Sequence, residues 1–225
     1  MGPEATCWTL IQGAARGMTE DIEEFIRLYA PVVRSYFSAR WQASALRSEI
    51  EDAVQDVFVE CFKEGGVLEH AGPLRVASFR GFLLGVARHV SLRAEARGHR
   101  HREVQAPSGF HPDEVGAEEP RLSLVFDRAW ARALLREAVV RQAARARILG
   151  KDAERRVELL RLRFHEGKTL REIAAAWQAE HTTIRKQNAR ALQEFEEALR
   201  EAVAFHHPGL PAAAEQEMAS ILASL

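Results

Sequence analysis

Between Thr169 and Leu192 the chain carries hydrogen-bonding side chains at the spacing with which a helix can read the edges of bases. Thr182, Thr183, Arg185, Lys186, Gln187 and Arg190 fall on the outer side of a helical pattern whose inner side holds Ile184. Arginine and glutamine can pair in bidentate fashion with guanine and adenine, and threonine suits phosphates or thymine methyl groups. A shorter segment upstream, Thr169 to Trp177 with Ile173 and Ala174 inward, would brace such a helix as the first half of a helix-turn-helix. The turn position where glycine is commonest is Gln178. A helical hairpin with a solvated basic face fits the same pattern.

A second constellation lies in residues 79–102. Phe79, Phe82, Leu83, Val86, Ala87, Val90 and Ala94 keep helical spacing, and Arg80, Arg88, His89, Arg93 and Arg97 take the opposite face, with Arg100 beyond. Such a face can track the phosphates of a DNA strand, with bases stacked or pocketed nearby. Phe79 and Phe82 are expected in the core rather than as base platforms. His99 and His101 flank Arg100 and read as part of the basic tail, not as a metal pair.

The formal net charge of −1 hides a strong partition. Residues 48–69 hold seven acids against Lys63, and residues 75–102 hold seven arginines against Glu95. Residues 155–190 hold nine Arg/Lys against four Glu. One acidic and two basic surfaces on a near-neutral chain predict two kinds of partner.

Other chemistries find little support. No nucleophile–base pair, glycine-rich phosphate loop or metal-ligand spacing stands out, so a binding protein is expected rather than an enzyme, and no cofactor. Cys7 and Cys61, the two cysteines, sit beside apolar or aromatic residues and read as buried free thiols. With no membrane-length apolar run and no basic-then-apolar leader, a cytoplasmic protein without membrane partners is expected.

These side chains need helices to hold them, and the periodicity predicts an all-α chain. Asp21 with Glu24 reads as a capping box for a helix that Pro31 should bend. Ser48 with Glu51 reads as another, opening a helix through about Lys63 with Ala53, Val54, Val57, Phe58, Cys61 and Phe62 inward. Gly65-Gly66 ends it, and a loop runs to Ser78. Residues 103–121, with Pro107, Gly109, Pro112, Gly116 and Pro120 interspersed with Asp113, Glu114, Glu118 and Glu119, read as an extended linker. A helix from Leu124 to Leu149 ends at Gly150, and Asp152 should cap the next, with Val157, Leu159, Leu160, Leu162 and Phe164 apolar. Thr169 with Glu172 is the third capping box. The architecture expected is two helical domains, residues 1–102 and 122–205, joined by an acidic Pro/Gly-containing linker over 103–121. An extension over 206–225 follows, carrying Met218, Ile221, Leu222 and Leu225 on a short amphipathic helix.

In this order the segments resemble the extracytoplasmic-function sigma factors of bacterial RNA polymerase. Glu51-Asp52-Ala53-Val54-Gln55-Asp56-Val57-Phe58 is similar to the Asp-x-x-Gln-(Asp/Glu)-Val-Phe core of that family. Phe79 to His89 resembles its Phe-Arg-x-Trp-Leu-x-x-(Ile/Val)-Ala-Arg-Asn helix, with Phe82 and His89 at the Trp and Asn positions. Thr183-Ile184-Arg185 resembles the opening of its recognition helix, whereas Arg190-Ala191-Leu192 departs from the usual Arg-Ala-Arg. Trp8-Thr9-Leu10-Ile11 and Phe126-Asp127-Arg128-Ala129-Trp130 resemble a subgroup with a longer linker and a C-terminal extension.

The resemblance implies a promoter-recognition subunit whose partners are core RNA polymerase and promoter DNA. Glu51, Asp52, Gln55, Asp56 and Phe58 would dock on polymerase. Arg80, Arg88, His89, Arg93, Arg97 and Arg100 would hold the melted minus-ten strand. The second domain would read the minus-thirty-five element through Thr182, Thr183, Arg185, Lys186, Gln187 and Arg190. The alternative is a stand-alone helix-turn-helix regulator that binds DNA without polymerase. No anti-sigma factor or regulatory kinase is identifiable from the residues.

Overall fold

The computed structural model describes residues 7–71, 78–103, 119–207 and 211–223, and among these the backbone forms nine α-helices, two short 3-10 helices and no strand. The fold class is all-α, as the helical periodicity predicts. The helices gather into two compact units, Met1–Ala133 and Leu134–Ala223. Residues 104–118 of the expected linker, residues 72–77 of the expected loop and residues 208–210 and 224–225 of the C-terminal extension lie outside the described residues.

The first unit is built on aromatic rings. Helix α1 (Cys7–Ala15) packs on α2 (Thr19–Arg40), α2 on α3 (Ile50–Phe62), and α3 on α4 (Phe79–Glu103). Phe25, fully buried at the centre, meets Tyr29, Phe58, Phe62 and Phe79 edge-on, with centroids 4.7–6.1 Å apart. Edge-to-face pairs set the electropositive rim of one ring against the face of the next, which adds to the large apolar area they bury. Phe79 is core, as expected, and Phe82 stacks on it at 5.9 Å.

Helix α5 (Glu119–Leu149) starts before the expected Leu124, and the division between the units falls inside it. Leu122, Phe126, Ala129 and Trp130 are buried in the first unit, where Trp130 stacks on Tyr29 at 5.6 Å. Pro120 stands in the first turn, where a missing N–H costs nothing, so a residue read as linker punctuation is a helix starter.

Two of the three expected capping boxes are absent. Helix α2 starts at Thr19 behind Met18 with no side-chain cap, and Glu24 pairs instead with Arg27 at 2.6 Å. Helix α3 is preceded by a 3-10 helix (Ala45–Glu49) capped by Ser44, while Glu51 pairs with Arg34 at 2.7 Å. Pro31 sits within α2, where the Ser35 hydroxyl donates to its carbonyl at 2.8 Å. At the end of α3, Gly66 lies so close to the chain that a Cβ there would come within 2.5 Å of the Lys63 carbonyl. Cys7 and Cys61 are buried free thiols, and burial pushes both up to about 12.

In the second unit, α6 (Lys151–Phe164), α7 (Leu170–Ala176) and α8 (His181–His206) share a core of Leu159, Leu160, Leu162, Ile173, Ala174, Ile184 and Ala191. Gly150, at φ +94°, both ends α5 and precedes α6, so Asp152 lies within the helix and is not its cap. Phe164, expected among the apolar inner positions, is 66% exposed, with the Arg163 guanidinium over its ring. The C-terminal helix α9 (Pro211–Ala223) folds back on α8, where Glu217 meets His207.

Candidate nucleic-acid interface

The third capping box is present. Glu172 N–H donates to Thr169 Oγ1 at 3.3 Å, and Thr169 N–H donates to the Glu172 carboxylate at 2.7 Å. This reciprocal pair fixes the start of α7 and draws the Glu172 carboxyl below the usual carboxylate range. The turn to α8 runs through Gln178 at φ +50°, the left-handed conformation that glycine would adopt without strain. It is closed by hydrogen bonds from Gln178 N–H to Ala175 O at 3.2 Å and from Ala179 N–H to Ala174 O at 2.9 Å. Helices α7 and α8 therefore meet through a tight turn over a shared apolar core, in the layout of a helix-turn-helix.

With Ile184 fully buried, the first turns of α8 present Thr182, Thr183, Arg185 and Lys186 to solvent, and Arg190 follows on the exposed side. Arg190 Nε lies 3.3 Å from Glu194, a contact loose enough for the guanidinium to turn toward a phosphate or a base. The Thr182 hydroxyl donates to Glu180 at 3.3 Å. Gln187 departs from expectation: it is half-buried, and its carboxamide oxygen is enclosed without a hydrogen-bond partner. In this conformation it cannot offer both amide atoms to adenine.

Sequence reasoning missed what holds this helix. Asn188 is buried and accepts from Arg163 Nη1 at 2.8 Å, and Arg156 of α6 grips Glu194 of α8 through three contacts of 2.7–3.0 Å. An Asn and a Glu spaced along a basic helix were readable as surface residues. Only the neighbouring helix shows them to be anchors.

In the first unit the expected acidic and basic surfaces meet. Helices α3 and α4 pack side by side, and the arginines of α4 turn onto the acids of α3. Arg93 Nη1 donates to Glu60 at 2.6 Å, and Arg93 and Arg97 lie 3.9 and 3.6 Å from the same oxygen of Asp56. Hydrogen bonds from Lys63 and Arg93 hold the Glu60 carboxyl below its usual range. Arg80 is tied to Asp127 of α5. Arg88 and His89 are exposed on the outer face of α4, while the side chain of Arg100 lies outside the described residues. The two charge runs of the sequence are thus partly one neutralised seam.

The five acidic-helix candidates separate in the same way. Asp52 and Gln55 are exposed, Glu51 is engaged by Arg34, and Asp56 is half-buried against Arg93 and Arg97. Phe58 is 7% exposed and belongs to the ring cluster around Phe25, so its side chain is not available to a partner. Val59, one turn on from Gln55 and 51% exposed, takes its place on the outer stripe of α3. In sequence the helical spacing of Val59 was obscured by the run Val57-Phe58-Val59, where every position looks apolar.

Among the described residues no helix is long and apolar enough to cross a membrane. The chain matches no protein-family model, no curated protein and no solved structure.

Proposed function

We propose that this chain is a promoter-recognition subunit of the extracytoplasmic-function sigma type: it binds core RNA polymerase through its first unit and promoter DNA through both. The observation that carries the reading is the α7–Gln178–α8 element, whose second helix is buried on Ile184 and opens with Thr182, Thr183, Arg185 and Lys186 facing solvent. A helix so braced can enter the major groove with its N-terminal residues at the base edges. The exposed stripe Asp52, Gln55 and Val59 on α3 supplies the separate docking surface that a polymerase subunit requires and a DNA-binding module alone does not. On this reading its role is binding, with no bond made or broken by its own side chains.

The alternative, a stand-alone regulator, draws support from one observation: two of the arginines proposed for the melted strand are engaged by Asp56 and Glu60. Retention of bacterial core polymerase separates the two. The wild-type chain is expected to retain polymerase, and Asp52→Arg to lower retention about tenfold, the equivalent of roughly 1.4 kcal/mol. Asp52 serves better than Asp56 because its reversal leaves the α3–α4 seam intact. A wild type that shifts DNA but retains no polymerase supports the regulator. On the DNA side, Arg185→Ala is expected to weaken duplex binding by about 1–3 kcal/mol and to relax selectivity at one base position, measured by competition among single-base variants of the site.

A further inference from the structure

We propose that α3 is a built-in counter-ion for the arginine face of α4, so that occupancy of α3 by a basic partner surface releases Arg93 and Arg97 to bind a single-stranded polyanion. The inference rests on the sigma reading of the two helices and adds to it a coupling between their ligands.

The geometry gives the reason. Asp56 faces Arg93 and Arg97 at once, at 3.9 and 3.6 Å, and Glu60 faces Arg93 and Lys63, at 2.6 and 2.5 Å. Glu60 is largely enclosed, whereas Asp56, Arg93 and Arg97 are each more than a third exposed. A phosphate approaching α4 therefore competes with two carboxylates already in place for the same guanidinium groups. A guanidinium near the surface can leave one anion for another at small cost, since half-exposed pairs contribute little net stability. The Asp56 carboxylate sits one turn from Asp52 on the same helix, so a cationic partner docked on the outer stripe of α3 draws on the same negative charge. Each ligand then favours the side-chain arrangement that the other needs, which is the condition for coupling between two sites.

The test uses the full chain without polymerase and a fluorescent mixed-sequence single-stranded DNA of fixed length. An Asp56→Asn, Glu60→Gln variant is expected to bind at least threefold tighter than wild type. The slope of log affinity against log salt should steepen by roughly 1.4, from about 0.7 per phosphate on single strands for each of the two arginines released. Glu64→Gln, which removes an exposed acid outside the seam, should leave both quantities within experimental error. Adding Arg93→Gln and Arg97→Gln to the double variant should abolish the gain. Equal affinity of wild type and double variant, or a gain that survives loss of the two arginines, overturns the proposal. Polymerase retention by the wild type is scored separately: retention without the gain rejects the counter-ion and leaves the sigma reading standing, and the gain without retention does the reverse.

Discussion

Glu95→Ala is expected to cost the first unit about 3–5 kcal/mol, the range for breaking a buried ion pair from one side. Glu95 is the one acid in a run of seven arginines, and by sequence it reads as an incidental break in a basic face. In the fold it receives Arg40 Nε and Nη2 at 2.7 and 2.9 Å and the Trp41 indole N–H at 2.8 Å. The Arg40 side chain is 6% exposed, so the guanidinium cannot recover its hydration when the carboxylate is removed. Arg40 also donates to the Tyr36 hydroxyl at 3.3 Å, which extends the disturbance into the core of α2. Urea unfolding followed by tryptophan emission in a Trp177→Phe background reads this unit, since Trp8, Trp41 and Trp130 lie in it. Glu95→Gln, which keeps an acceptor for the indole, should cost less than Glu95→Ala. A loss below about 1 kcal/mol for the alanine variant would place the pair in the class of surface bridges and refute its anchoring role.

In the second unit the corresponding result is expected for Glu194→Ala, again about 3–5 kcal/mol. Arg156 is 9% exposed and spends Nε and Nη2 on Glu194, while Nη1 donates to the Asp152 carbonyl at 3.1 Å. The hydrogen bonds that Arg156 donates to Glu194 raise its guanidinium above the ordinary value. The pair clips α6 to the middle of α8, so its loss loosens the helix proposed to enter the major groove. Burying two charges has its own desolvation cost, and a well-packed apolar pair of similar size often does as well. Arg156→Met combined with Glu194→Leu should therefore recover most of the stability that Glu194→Ala loses. Calorimetry that resolves the second unit's transition checks both. If the double variant is no more stable than the single one, the ion pair contributes more than the burial argument allows.

Legibility in the sequence followed the range of the interaction. The inner faces of α3, α4 and α8 were readable because helical periodicity is local, and Thr169 with Glu172 because a capping box closes within four residues. The other two boxes had the right letters but lost their acids to arginines: Glu24 to Arg27 on its own helix, and Glu51 to Arg34 on another. The left-handed turn at Gln178 was marked by its position in the motif despite the absence of glycine. The candidate site was legible as a set of residue types, less so as a set of available groups. That Gln187 turns inward, Phe58 is core, and Asp56 and Arg93 are each other's neighbours depends on helices packed across tens of residues. Segment charge counts contain no information of that kind.

The placement of the two cysteines has an experimental consequence. Both thiols lie in the first unit, sealed in its core, and the second unit contains none. A thiolate is the species that alkylating reagents attack, and a buried thiol pushed up to about 12 offers almost none at neutral pH. Reaction must wait for the surrounding helices to part, so the labelling rate of the unmodified chain times the opening of one half and is silent on the other. Cys7 on α1 and Cys61 on α3 report from different elements, and the ratio of their rates separates fraying of the N-terminal helix from opening of the whole core. The chain thus carries its own two-handed clock, which any ligand of the first unit would slow and a ligand confined to the second would leave running.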